Sequence, residues 1–175
     1  MKFPSRPRIV TPRLCLRPIL PEDREEMFAL LTSDEISRTY MIPEFQSEEE
    51  IVRLFEVFQR LSQSEERFVY GISLDGRLIG FLNDVEVREG DVELGYVIHP
   101  DQKGRGFATE ALGAAMSELF SAGFSTIRAG AFEENRASIR VMEKCGMIPT
   151  GEEEQIEYRG KMRRCICYAK RNEMT

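Results

Sequence analysis

The most informative segment of this 175-residue chain reads His99-Pro-Asp-Gln-Lys-Gly-Arg-Gly-Phe-Ala-Thr-Glu110. An apolar run at residues 92–98 precedes it and predicts a strand. Beyond it, apolar residues recur at helical spacing until Gly123, which predicts a helix. The segment is therefore a glycine-bearing loop that carries the chain from a strand into a helix.

The glycines and charges of this loop favour an anion, and in particular a pyrophosphate. Gly104 and Gly106 allow successive backbone N–H groups to turn toward one point. The start of the helix adds about half a positive charge, and Lys103 and Arg105 add full charges. The pattern is neither a Walker A loop nor the G-x-G-x-x-G loop of dinucleotide-binding proteins. The loop alone leaves one alternative open, a solvated glycine turn with an exposed lysine.

The rest of the chain predicts an α+β fold with the element order β-α-α-β-β-β-α-β-α-β-β. Helices are predicted from Pro21, from a capping box at residues 47–50, beyond the glycine loop, and from Asn135 to a stop at Gly146. Asp75-Gly76 separates two apolar runs and predicts a hairpin. Strands are predicted near residues 14–18, 68–74, 78–87, 92–98, 127–132, 148–154 and 163–171. Residues 33–46 are predicted to be irregular. No linker divides residues 1–175, so we expect a single domain.

The amino-acid composition excludes several kinds of site and partner. The single histidine, His99, excludes sites that need two imidazoles, such as H-E-x-x-H zinc sites, and we expect no metal. It precedes Pro100, which favours an extended, structural role over catalysis.

The net charge of −6 argues against nucleic acid as a direct partner. No apolar run is long enough to span a membrane, and the N-terminal residues lack the apolar core of a signal peptide. We therefore expect a cytoplasmic protein with no membrane partner.

Together these motifs resemble the GNAT N-acetyltransferases. Lys103-Gly-Arg-Gly106-Phe-Ala108 is similar to the family's loop signature, with lysine in place of the usual glutamine or arginine. Glu93-Leu-Gly-Tyr-Val-Ile-His-Pro100 resembles the family's fourth strand, and Asn135-Arg-Ala-Ser138 resembles its Asn-x-x-Ser segment. Thr11-Pro-Arg-Leu-Cys-Leu-Arg17-Pro is similar to the first strand of the RimJ/RimL-like branch, which acetylates N-terminal amines of ribosomal proteins and other amines. The resemblance implies a mixed central sheet of about six to seven strands flanked by about four helices.

The resemblance also implies an acetyl-CoA site. Backbone amides of the glycine loop would hold the pyrophosphate. The splayed end of the fourth strand would pair with the pantetheine arm, and an amide there could polarise the thioester carbonyl. Asn135 would reach the pantetheine, although it is also predicted to cap its helix. The cofactor-binding residues expected on this basis are Val97, Ile98, Lys103, Gly104, Arg105, Gly106, Phe107, Ala108 and Asn135.

Direct acetyl transfer requires a neutral amine, a base that accepts its proton, and a donor for the departing thiolate. Many members of the family place a tyrosine donor where this chain has Met142, which cannot donate a proton. The RimJ/RimL-like branch places a serine three residues after the asparagine, here Ser138, for which helix capping is the alternative role. Glu157 matches a carboxylate between the last two strands of the branch, although residues 152–157 can also form a solvated acidic face. Glu93 is the second candidate base.

The expected partners are acetyl-CoA and an amine acceptor, either the N-terminus of a ribosomal or other protein or a small-molecule amine. Tyr40, Tyr96 and Tyr158 could line the acceptor pocket. A homodimer formed through exposed strand edges or through the late hairpin is a further expectation. The alternative to an enzyme is a non-catalytic acyl-CoA-binding module, which Met142 at the tyrosine position would favour.

Overall fold

A computed structural model describes residues 3–4 and 7–173, and one mixed sheet runs through this part of the chain. Its strands are β1 (Ile9–Val10), β2 (Leu14–Arg17), β3 (Val69–Leu74), β4 (Arg77–Arg88), β5 (Asp91–Ile98), β6 (Thr126–Phe132), β7 (Ile148–Tyr158) and β8 (Lys161–Arg171). The helices are α1 (Arg24–Leu31), α2 (Asp34–Ser37), α3 (Glu48–Ser62), α4 (Phe107–Ser121) and α5 (Arg136–Lys144). Short 3-10 turns at Pro21–Asp23 and Pro100–Gln102 precede α1 and the loop before α4.

The α+β class is confirmed, and the predicted element order needs two additions. The sheet has eight strands rather than the six or seven expected, because the two residues of β1 pair with β2. The additional helix is α2, a single turn inside the segment predicted to be irregular, where Ser33 accepts a hydrogen bond from the N–H of Ile36. Elements this short cannot show a periodic pattern, so the sequence carried no signal for them.

Two of three local predictions are confirmed. Asp75 and Gly76 both have positive φ, +50° and +85°, as the tight turn between β3 and β4 requires. Asn135 caps α5, because its side-chain oxygen accepts from the N–H of Ser138 at 3.2 Å. The capping box before α3 is wrong in its detail. Ser47 makes no side-chain cap, and the Glu50 carboxylate reaches past it to accept from the N–H of Gln46 at 2.7 Å.

The sheet opens at one place, between β5 and β6. The strand order is β1-β2-β3-β4-β5-β6-β8-β7, and β5–β6 is its parallel pair. These two strands pair over Asp91–Glu93, whereas β5 continues to Ile98 in register with β4. Along its whole length β6 pairs with β8. A gap therefore widens between β5 and β6 beyond Glu93, at the end of the sheet where α4 begins.

Helices cover both faces of the sheet, and β5 contributes to both cores because its side chains alternate. Leu94 and Ile98 lie in the core under α4 and α5, and Val97 lies in the core under α1 and α3. Phe107, the first residue of α4, is buried in the former core and fixes the start of that helix beside the gap.

Candidate active site

A cavity of about 310 Å³ occupies the gap between β5 and β6. It is lined by Ile36, Thr39, Tyr40, Leu94, Gly95, Tyr96, Val97, Ile98, Gln102, Lys103, Gly104, Gly106, Phe107, Ala108, Thr109, Gly130, Asn135, Ala137, Ser138, Arg140, Val141 and Lys144. All of the predicted cofactor residues except Arg105 belong to this lining. The structure therefore brings the strand end and the glycine loop that follows it together with the start of α5, which lies further along the chain.

The free edge of β5 can take an extended ligand as an additional strand. The N–H of His99 donates to the carbonyl of Ile79 on β4 at 2.7 Å. Successive residues of a strand point their backbone groups to opposite sides, so those of Ile98 and Tyr96 face the gap. An extended molecule with amide groups of its own can pair with these unmatched N–H and C=O groups.

The loop at residues 103–108, called the phosphate loop below, presents backbone N–H groups to the same cavity. Gly104 and Gly106 have positive φ, +74° and +81°, a conformation that other residues adopt at a cost. Gly106 occupies the N-cap position of α4 and has no side chain to cap it. The first amides of α4, at Phe107 and Ala108, therefore lack intrahelical partners and carry the positive end of the helix dipole.

Arg13, which the sequence reasoning missed, holds this loop in place. Its Nε donates to Oε2 of Glu110 at 2.7 Å, and its Nη1 donates to the carbonyl of Arg105 at 2.8 Å. The Arg13 guanidinium also lies over the Phe107 ring, 4.6 Å from its centroid. Hydrogen bonds from Thr11 and Arg13 lower the pKa of Glu110 despite the opposing effect of burial. The segment before β2 is thus tied to the first turn of α4.

The two cations of the phosphate loop have different surroundings. Lys103 Nζ donates to Oε1 of Glu35 on α2 at 2.6 Å, and this hydrogen bond lowers the pKa of Glu35. The pair therefore links the phosphate loop to α2. Arg105 donates to the side chain of Gln102 at 2.7 Å and lies over Phe107, on the outside of the loop. Lys103 is therefore placed to meet an anion in the cavity, whereas Arg105 acts on it from a greater distance.

Ser138 and Tyr96 form a hydroxyl pair at the other end of the cavity. The Oη of Tyr96 lies 2.8 Å from the Oγ of Ser138 and 3.2 Å from its carbonyl oxygen. Burial raises the pKa of Tyr96, so its phenol keeps its proton and can donate it in a hydrogen bond. Sequence reasoning named both residues but gave no reason to pair them, because Tyr96 lies on β5 and Ser138 on α5.

Glu93 is the last residue of β5 that pairs with β6. Its Oε1 is 3.5 Å from the position that a Cβ of Gly130 would occupy, and Gly130 lines the cavity. Burial raises the pKa of Glu93, and repulsion from Glu154 and Glu86 raises it further, against the opposing charge of Arg128. A carboxylate in such surroundings accepts a proton more readily near neutral pH than an exposed one does.

Comparisons with known proteins identify the family. The family model described as acetyltransferase (GNAT) domain matches residues 13–148. The chain belongs to the GNAT acetyltransferases. It is 33% identical over 157 residues to the uncharacterized N-acetyltransferase YoaA of Bacillus subtilis (strain 168), covering 87% of this chain and 89% of YoaA. The family assignment and the named homologue support an acyltransferase enzyme rather than a non-catalytic module.

Solved structures share the GNAT fold. A GNAT-family acetyltransferase from Bacillus anthracis superposes with a TM-score of 0.82 at 22% identity, covering 95% of this chain and 99% of that one. RimL, a ribosomal alpha-N-protein acetyltransferase in complex with coenzyme A, gives a TM-score of 0.84 at 20% identity, covering 96% and 99% of the two chains. At these identities the likeness establishes the fold of this GNAT domain, and the acceptor has to be argued separately.

Other candidate residues lie outside the GNAT cavity or serve the structure. Glu157 is exposed on β7, outside the cavity lining. The neighbouring Tyr158 donates to the carbonyl of Ser37 at 2.7 Å and so fastens the β7–β8 hairpin to the end of α2. His99 accepts from the N–H of Asp101 through Nδ1 at 3.2 Å, in the turn that leads to the phosphate loop. Met142, at the family's tyrosine position, is fully buried.

Residues 3–4 and 7–173 are the part of the chain that the structure describes. In that part of the chain, no helix is both long and apolar enough to cross a membrane. Within the same residues, no group of three or more histidine, cysteine, aspartate or glutamate side chains is arranged to hold a metal ion. The predictions of a cytoplasmic location, a single domain and a homodimer remain predictions.

Proposed function

We propose that this protein transfers an acetyl group from acetyl-CoA to a primary amine by direct attack of the amine on the thioester. The main support is the cavity in the gap between β5 and β6. Both the phosphate loop and the Ser138–Tyr96 pair line this cavity. A thioester that follows the edge of β5 from the loop would bring its sulfur to this hydroxyl pair.

The residues of the cavity fit acetyl-CoA. The unpartnered amides at Gly106, Phe107 and Ala108 would hold the pyrophosphate, and the Lys103 ammonium, which donates to Glu35 in this structure, would supply a further donor. The backbone groups of Ile98 and Tyr96 that face the gap would pair with the amides of the pantetheine arm. One of these N–H groups would also donate to the thioester oxygen as negative charge develops on it. The side chain of Asn135 would lie along the same arm.

The hydroxyl pair would assist the departing thiolate. A serine hydroxyl is a poor acid, and a thiolate that leaves requires a donor rather than a strong acid. Tyr96, kept neutral by burial, can donate to Ser138 while Ser138 donates to the sulfur. We therefore assign Ser138 as the residue that contacts the leaving group and Tyr96 as the residue that positions it.

We assign proton removal from the amine to Glu93 rather than Glu157. Neither carboxylate belongs to the cavity lining, but Glu93 lies beside the lining residue Gly130 and has a raised pKa, whereas Glu157 is exposed on β7. Glu93 and Tyr96 are an odd number of residues apart on β5, so their side chains lie on opposite faces of the sheet. The base and the thiolate donor would thus flank the thioester, and the amine would approach on the face that carries Glu93.

The acceptor is proposed only as a class. A neutral primary amine is required, and the carboxylates of Glu86, Glu93 and Glu154 on one face favour the approach of a cation that then loses its proton. The α-amine of a protein N-terminus is the first choice, because its pKa of about 8 leaves more of it neutral than a lysine amine. Small-molecule amines remain the second choice within the same reaction.

The test is thiol release. The full chain is incubated with acetyl-CoA and a panel of N-terminal peptides, polyamines and amino-sugars. Free CoA is measured with a thiol reagent, and the masses of the products are measured by mass spectrometry. We expect amine-dependent CoA release with a mass gain of one acetyl group on the acceptor. Tight acetyl-CoA binding without release for any amine would overturn the proposed activity.

A further inference from the structure

We infer that Tyr40 limits the size of the amine acceptor. Its ring closes the space beside Glu93 on the β4 side, so that the carbon bearing the amine can carry only hydrogen or a small substituent. The inference rests on the proposed function and narrows its acceptor class. It makes Tyr40 a specificity-determining residue, a role separate from holding acetyl-CoA and from proton transfer.

Tyr40 lies on the face of the sheet that carries Glu93. The position that a Cβ of Gly95 would occupy is 3.0 Å from the Oη of Tyr40 and 3.2 Å from its Cε2. Glu93 and Gly95 are two residues apart on β5, so they share a face and are about 6–7 Å apart along the strand. The Tyr40 ring therefore fills the space beside Glu93 that a side chain at position 95 would otherwise occupy.

The other side of this space is formed by β6 and β8. Gly130 lines the cavity, and the position of its missing Cβ is 3.5 Å from Oε1 of Glu93 and 3.1 Å from Sγ of Cys165. The two glycines thus leave the floor open on both strands of the gap. An amine that reaches Glu93 on this face would have the Tyr40 ring on one side and Cys165 on the other.

The Tyr40 side chain is a fixed wall. Its Oη donates to Oδ1 of Asn83 on β4 at 2.7 Å, and its ring meets that of Phe81 edge-on, with centroids 5.7 Å apart. Its backbone N–H donates to the carbonyl of Ile36 at 2.8 Å. Turning the ring aside for a bulky acceptor would break these contacts, so the limit on size follows from the packing.

The volume of the cavity agrees with a small acceptor. The cavity measures about 310 Å³ and is lined by Tyr40, Gly95 and Gly130 as well as by the phosphate loop. Pockets for a single small molecule usually measure about 300–1,000 Å³. This cavity would have to hold the acyl end of acetyl-CoA together with the amine, which leaves little room for a substituent beside it.

Four peptides that differ only in their first residue, which is glycine, alanine, valine or phenylalanine, test the inference. We expect the wild type to acetylate the glycine and alanine peptides with a kcat/KM about tenfold above that of the other two. In Tyr40→Val this ratio should fall toward one, because the larger peptides gain. Tyr40→Phe keeps the ring and loses the hydrogen bond to Asn83, so it should retain the wild-type ratio. A change in acetyl-CoA binding cancels, because each ratio is taken within one protein.

Phe58→Val is the matched control. The Phe58 ring also packs edge-on against Phe81, with centroids 4.9 Å apart, but Phe58 lies on α3 outside the cavity lining. Its replacement should lower thermal stability, as Tyr40→Val does, and leave the ratio at the wild-type value. Tyr40→Leu replaces Tyr40→Val, with the same expectation, if the valine variant does not fold.

The remaining outcomes separate the inference from the proposed function. Equal use of the four peptides by the wild type, or a wild-type ratio in the Tyr40 variant without the ring, overturns the inference alone. A ratio that falls as far in Phe58→Val also overturns it, because a loosened core would then be the cause. CoA release with other amines but with none of the four peptides has the same meaning. If no amine gives CoA release, the proposed function fails, and the inference fails with it.

Discussion

Replacing Glu93 by glutamine tests the proposed chemistry most directly, because a second carboxylate provides the control. Glu93→Gln keeps the size and hydrogen-bonding groups of the side chain and removes the proton acceptor beside Gly130. Glu157→Gln makes the same chemical change at an exposed position on β7. The pair therefore separates the loss of a base at the cavity from the loss of one negative charge on the surface.

The expected magnitudes differ by more than an order of magnitude. General base catalysis contributes about 10²–10⁴-fold in rate, so Glu93→Gln should lower kcat by about that factor. An exposed substitution away from special contacts changes free energies by about 0.5 kcal/mol, so Glu157→Gln should change kcat less than about threefold. Acetyl-CoA affinity should be unchanged in both variants.

Stability distinguishes lost chemistry from lost structure. The pKa of Glu93 is raised above its ordinary value of 4.5, chiefly by burial. The folded state therefore binds this proton more tightly than the unfolded state, and the resulting stabilisation is lost as pH rises through the raised pKa. At neutral pH the ionised carboxylate costs stability, so Glu93→Gln should unfold in urea at the same concentration as the wild type or at a higher one.

The assay is CoA release with a saturating amine acceptor, measured across pH. The pH–rate profile of the wild type should contain an ascending limb above pH 4.5, where Glu93 loses its proton. The profile of Glu93→Gln should lack that limb. The reasoning would be refuted by a Glu93→Gln enzyme with wild-type kcat, or by a large loss in Glu157→Gln alone. The second result would return the base to the β7–β8 hairpin.

Three further perturbations follow. Tyr96→Phe and Ser138→Ala should each lower kcat about tenfold, and the double variant should lose little more, because both changes break one relay; losses that multiply would separate the two roles. Gly106→Glu should abolish acetyl-CoA binding in a calorimetric titration, since it places a carboxylate at a residue with φ of +81° in the cradle; unchanged affinity would contradict the cradle. Asp23→Asn should lower the free energy of unfolding in urea by about 3–5 kcal/mol, because it leaves the buried guanidinium of Arg17 without its paired carboxylate; a loss below 1 kcal/mol would mean that water reaches this pair.

Local chemistry accounts for the parts of the fold that could be predicted. The Asp75-Gly76 turn and the Asn135 cap depend on residues within a few positions of each other, so their patterns are complete in the sequence. The phosphate loop is also continuous in sequence. Gly104 and Gly106 both have positive φ, a conformation that a residue without a side chain adopts at little cost.

Contacts between distant segments were not predictable in the same way. Arg13 and Glu110 are 97 residues apart, and nothing in either local sequence indicates that they form an ion pair. The exposure of Glu157 has a similar cause, because the acidic run gives no indication of which residues face solvent and which face the cavity. The resemblance to a family supplied candidates for the base, and tertiary position was required to choose between them.

If Ser138 and Tyr96 act as proposed, this chain needs no tyrosine on α5. Met142 fills that position and is fully buried in the core, so a donor there is structurally absent. Tyr96 reaches the same region from β5, and its backbone N–H faces the gap while its side chain meets Ser138. One strand residue would therefore line the path of the thioester with its backbone and orient the thiolate donor with its hydroxyl. Because β5 is held on its other side by β4, both functions would rest on one fixed strand.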